Sequence, residues 1–159
     1  LCDKFDDFSD VLLVFPLYAD AIPVTLLNFL KSLEVMPPEN KPTISVFINC
    51  GFIEYYQNDI ALEMVKLFCK RNGYRFGSVL EIGSGEAILD TPFKGFVERK
   101  LKSLAMSIAR RSYRSLHTTM PLPKRIFIRA STQYWIDYGK RQNTTAEKMR
   151  TMQIEGQSD

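Results

Sequence analysis

The chain has 159 residues, a formal net charge of +3 and an ordinary share of apolar residues, enough for one domain with a sizeable core. No run of about 18 consecutive apolar residues occurs, which excludes a membrane-spanning helix. Three widely spaced cysteines, Cys2, Cys50 and Cys69, form no C-x-x-C pair and no metal-ligand spacing; they exclude a cysteine-ligated iron–sulfur cluster and point to a reducing, cytoplasmic compartment.

Residues 1–9 are polar and acidic, with Phe5 and Phe8 spaced to touch the fold. Asp10-Val-Leu-Leu-Val-Phe-Pro16 is an apolar run closed by a breaker, the pattern of a strand covered on both faces. Pro23 suits the first position of a helix, and Leu26, Leu27, Leu30 and Leu33 follow at helical spacing, so 23–35 reads as an amphipathic helix. Pro37, Pro38 and Pro42 end it. Thr43 to Asn49 is a second strand, β-branched and largely apolar. After an aromatic-rich loop, Asn58 is placed to cap a helix whose stripe reads Ile60, Met64, Leu67 and Phe68, and Gly73 offers it a left-handed end. Phe76 to Ile82 is a third strand. A long helix is expected from about 94 to 114, with Val97, Leu101, Leu104 and Ile108 inward. Pro121 and Pro123 mark a boundary, followed by a helix over 125–142 and a short one opening near Thr144 or Thr145.

Strands about 33 residues apart, each followed by a helix, give an α/β fold with right-handed crossovers and a parallel sheet. Charge is uneven along it. Residues 1–93 carry 7 basic and 13 acidic groups, 94–129 carry 10 basic groups against Glu98, and 130–159 balance at 4 and 4. The basic block is a solvated helix face or a surface for a phosphate-bearing cofactor, an anionic membrane or nucleic acid.

A parallel sheet emits its strand-exit loops on one edge, where open α/β sheets bind ligands. The loops 16–23, 49–57 and 83–90 therefore become neighbours. The first offers Tyr18 between two prolines. The second offers Asn49, Gly51, Phe52, Tyr55 and Tyr56, and the third two glycines with Ser84 and Glu86. Aromatic walls beside exposed backbone N–H groups suit a planar heteroaromatic ligand.

Phe15-Pro-Leu-Tyr-Ala-Asp-Ala-Ile-Pro23 with its Leu-Leu-x-Phe-Leu helix, and Asn49-Cys-Gly-Phe52, resemble the third- and fourth-strand exits of flavodoxin-like NAD(P)H-dependent FMN reductases. The resemblance covers roughly residues 8–110 and implies a flavodoxin-like three-layer sandwich. It implies FMN as cofactor and NAD(P)H as co-substrate, with electrons passing onward to a quinone or another acceptor. Pro16, Leu17, Tyr18 and Ala19 would border one part of the flavin ring. Asn49, Cys50, Gly51 and Phe52, with Tyr55, would border another. No catalytic acid or base is required, since the flavin carries the redox chemistry.

The family's Ser/Thr/Gly-rich phosphate loop, which follows its first strand, does not precede strand 10–16. The chain resembles the C-terminal two-thirds of such a domain over 1–120, with a helical extension over 121–159. Lacking its usual neighbour, strand 10–16 is expected to be an open apolar edge through which the protein forms a homo-oligomer. Two alternatives remain: a flavodoxin-type electron carrier, and a flavin-less interaction domain docking through 125–142. Nucleic acid is not an expected partner. Cys50 reads as a small buried residue, and His117, in a Ser/Thr-rich linker, as having no catalytic role. Gly83-x-Gly85 reads as a tight turn, and Glu86 and Asp90 as solvent-facing or helix-start residues. There is no G-x-S-x-G elbow and no histidine pair for a metal.

Overall fold

In the computed structural model, Phe5 and residues 7–151 are described. Three runs become strands as the apolar patterns dictate: β1 (Asp10–Pro16), β2 (Thr43–Asn49) and β3 (Phe76–Ile82). They alternate with helices α1 (Val24–Val35), α2 (Asp59–Asn72) and α3 (Lys94–Ala109). A fourth strand, β4 (Ser115–Thr118), follows α3, and the sheet runs β1-β2-β3-β4 with every pair parallel. The contacts divide the chain into two units, Leu1–Met120 and Pro121–Asp159.

Side chains alternate across a strand with period two. Leu13 and Phe15 of β1, Ile44, Val46 and Ile48 of β2, and Val79 of β3 join one buried cluster with Leu30 and Leu33 of α1 and Ala61, Leu62, Val65 and Cys69 of α2. Ser78, on the other face of β3, hydrogen-bonds Ser107 of α3 through the two hydroxyls at 2.6 Å. Helices thus lie on both faces, α1 and α2 on one and α3 on the other. This is the three-layer α/β class expected from the sequence.

The helices deviate in detail from their apolar spacing. The stripe α2 buries is Ala61, Leu62, Val65 and Cys69; Ile60 and Leu67 of the expected stripe are exposed. The two readings lie a fraction of a turn apart, and Met64 and Phe68 of the expected stripe are partly buried against the same cluster. Gly73 ends α2 with φ 70, as expected. Phe5 is buried, its ring edge-on to Phe29 at 5.5 Å, whereas Phe8 is exposed.

The third helix stops at Ala109 rather than near 114. The chain turns through Arg111 at φ 51 and enters β4, so His117 lies on a strand and not in a linker. Tyr113, between α3 and β4, donates its hydroxyl to Asp10 Oδ1 of β1 at 2.9 Å, and the Arg75 guanidinium lies 4.8 Å from its ring centre.

β1 pairs with β2 alone among the described residues. Its cluster-facing residues are buried, but Leu12 and Val14 on the other face are 40% and 63% exposed. The open apolar edge expected of this strand is present. In the second unit, α4 (Lys124–Arg141) is followed by a single 3-10 turn, Lys148–Arg150, where a short helix was expected.

Candidate functional site at the carboxyl edge of the sheet

At the end of β1 the Leu17 N–H donates to Asn49 O at 2.7 Å, which ties the first two exit loops together. The chain then reverses in two residues. Tyr18 and Ala21 exchange backbone hydrogen bonds at 3.1 and 3.0 Å, with Ala19 at φ 47 and Asp20 at φ 58. Two left-handed central residues make this a type I′ turn, a geometry that Asn and Gly adopt cheaply and alanine does not. The strain is spent on a turn that leaves the Tyr18 ring 67% exposed.

The second and third loops are bolted to each other. Cys50 N–H donates to Ile82 O at 2.9 Å, Ser84 N–H to Phe52 O at 2.5 Å, and Gly85 N–H to Cys50 O at 2.7 Å. A Cβ on Gly83 would come within 2.7 Å of Ile53 O and 2.8 Å of Thr119 Oγ1. The glycines serve this close approach, in keeping with a tight turn. Their N–H groups are already used inside the protein: Gly83 N–H goes to Thr118 O. The loop therefore offers no cradle for a phosphate.

Between β2, β3 and the segment after Gly85 lies a cleft of about 240 Å³, lined by Phe47, Asn49, Ile82, Gly85, Glu86 and Leu89 among others. Asn49 lines it and is the register partner of Pro16. Of the residues the sequence singled out, Pro16, Leu17, Tyr18, Ala19, Asn49, Gly51 and Phe52 gather on this edge. Tyr18 and Phe52 are exposed, and nothing stands within 4 Å of where a Gly51 side chain would begin.

Cys50 and Tyr55 are placed differently. The Cys50 side chain is buried beneath its own loop, with Sγ facing Phe52 O at 3.8 Å and Glu54 O at 3.6 Å, and burial raises its pKa. A neutral thiol there is a packing group. Tyr55 opens a 3-10 turn, Tyr55–Asn58, and its ring lies flat on His117 with centroids 4.1 Å apart and planes 8° from parallel. Asn58 stands at the start of α2 but makes no side-chain cap; it is fully buried and its amide turns back to Tyr55 O at 2.9 Å.

Next to this turn sits a group that sequence reasoning passed over. Glu81 on β3 is 5% exposed, and its Oε2 has no partner among the described residues. Burial, then the charge of Asp59 and a hydrogen bond with it, raise its pKa from 4.5 to about 7, against a small opposing pull from Lys66. The signal in the sequence was a lone carboxylate inside an apolar strand.

No group of three or more His, Cys, Asp or Glu side chains suited to a metal ion occurs among the described residues. No helix among them is long and apolar enough to cross a membrane. No family model matches the chain, and neither a curated protein nor a solved structure does.

Proposed function

We propose that this chain carries the flavin-ring side of an FMN-dependent NAD(P)H oxidoreductase. The observation that carries the reading is the strained Tyr18–Ala21 turn, which presents an exposed tyrosine beside Asn49, Gly51 and Phe52 at the carboxyl edge of a parallel sheet. When bound, the flavin supplies acceptance of hydride from NAD(P)H and delivery of electrons to a quinone or another acceptor.

The residues present fit the ring portion of that cofactor. Tyr18 and Phe52 supply flat apolar surface, and Gly51 leaves room for a close approach to the backbone. Asn49, half-buried on the cleft wall, supplies an amide to a heterocycle edge. The phosphate portion finds no matching cradle in the third loop, whose N–H groups are spent on loop packing. Cys50 and Tyr55 support the loop from behind rather than border a ligand. Self-association through the open β1 edge belongs to the same proposal.

The test is a titration with FMN and with riboflavin, followed by quenching of flavin fluorescence, together with NAD(P)H consumption in the presence of a quinone. Both flavins bind, and Tyr18→Ala weakens both about tenfold, the loss of roughly one aromatic stacking contact. An electron carrier would bind flavin without consuming NAD(P)H. Absence of binding to either flavin by a folded chain refutes the proposal.

A further inference from the structure

The flavin reading leaves α4 unused. At about 100° per residue, Phe127, Ile128, Ser131, Tyr134, Trp135 and Tyr138 fall within an arc of roughly 120°. Ile128, Tyr134, Trp135 and Tyr138 are all exposed. The three aromatic rings form one cluster, with centroids 5.4, 5.8 and 6.4 Å apart. Met149, from the turn after α4, is folded against Gly139 and adds an exposed apolar group beside this arc. Arg129 and Lys140 occupy the opposite side, while Arg125 and Arg141 flank the apolar arc.

Charge decides what suits this face. The helix carries Lys124, Arg125, Arg129, Lys140 and Arg141 against a single acid, Asp137, which is already engaged by Gln133 and Lys140. Two copies laid face to face bring like charges together in either orientation. Single-stranded nucleic acid is gripped by several cations interleaved with aromatic rings on one surface; here Arg141 lies over the Tyr138 ring at 5.8 Å, but Arg129 and Lys140 point away from the rings. An anionic bilayer satisfies both features. The aromatic face enters the headgroup region, and the flanking arginines reach lipid phosphates along their aliphatic stems.

We infer that α4 is an interfacial helix that lies on an anionic lipid surface, with Tyr134, Trp135 and Tyr138 at the boundary between headgroups and acyl chains. This goes beyond the flavin reading and uses none of the carboxyl-edge residues.

Trp135 is the chain's one tryptophan, so its emission reports α4 alone. The full-length chain is titrated with vesicles of phosphatidylcholine alone and with vesicles containing phosphatidylglycerol. Emission shifts to the blue, and is quenched by brominated acyl chains, with the anionic vesicles only; added salt reverses the binding. Arg125→Gln with Arg141→Gln lowers partitioning about 30-fold, about fivefold for each flanking cation removed, and leaves the far-ultraviolet circular dichroism unchanged. Unchanged emission with anionic vesicles overturns the inference. So does a response confined to a single-stranded oligonucleotide, or one that follows protein concentration alone and ignores lipid.

Discussion

Replacing Glu81 by glutamine isolates the contribution of one buried carboxyl. Its pKa is raised from 4.5 to about 7 by burial and by Asp59. Between those two pH values the folded chain holds a proton that the unfolded chain has released. Stability therefore falls as pH rises through this window, at about 1.36 kcal/mol per unit. The whole window costs roughly 3 kcal/mol, complete above pH about 7 and absent below the unfolded value. Glutamine has no proton to lose and no charge to bury. Urea denaturation followed by circular dichroism at pH 5 and pH 8 measures the effect. The advantage of Glu81→Gln over the parent chain grows by roughly 2–3 kcal/mol between the two. Asp59→Asn removes the neighbouring charge, lowers the Glu81 pKa and shrinks the parent's loss. An advantage of Glu81→Gln that is the same at both pH values would refute the reasoning.

Other substitutions probe the loops and the edge. Ala19→Gly relieves a left-handed alanine at φ 47 and raises the denaturation midpoint, with a gain of about 0.5–1 kcal/mol after the added freedom of the unfolded chain is discounted. Gly83→Ala pushes a methyl toward Ile53 O and Thr119 Oγ1 and lowers stability by about 1–3 kcal/mol in the same assay. Val14→Lys places a charge on the exposed face of β1; light scattering shows a smaller particle at high concentration, and stability stays within about 0.5 kcal/mol.

What the sequence made readable was whatever repeats over several residues. Short apolar runs such as Val11 to Phe15 with their breakers, and leucines at helical spacing, located three strands and the helices between them. β4 escaped because it is four residues long with a single apolar side chain, Leu116, too short to show a period. It is an edge strand, and edges are kept short and polar. With β4 went the placement of His117, whose stacking on Tyr55 joins residues far apart in the chain. The gathering of Pro16, Tyr18, Asn49 and Phe52 was readable because parallel topology alone brings strand exits together. The direction of the Asn58 amide was not. A polar side chain at a helix start has two sets of partners, and burial beneath Tyr55 chose the second. The stripe of α2 was misread by a fraction of a turn because apolar residues occupy more than one side of that helix.

The hydrogen bond from Tyr113 to Asp10 closes a loop of 103 residues in sequence. It fastens the segment that leads into the last strand to the first residue of the opposite edge strand. An edge strand bound on one side only would ordinarily fray by itself. Here lifting β1 away also breaks the tie to the chain between α3 and β4, which couples the two edges of the sheet by about 0.5–1.5 kcal/mol. Amide hydrogens of β1 and β4 then exchange with similar protection, and Tyr113→Phe separates them. The same tie is long-range and forms only when most of the chain is in place, so its effect falls on the unfolding rate more than on the folding rate. One phenolic hydroxyl thereby lengthens the life of the intact sheet by the same modest increment that it adds to stability.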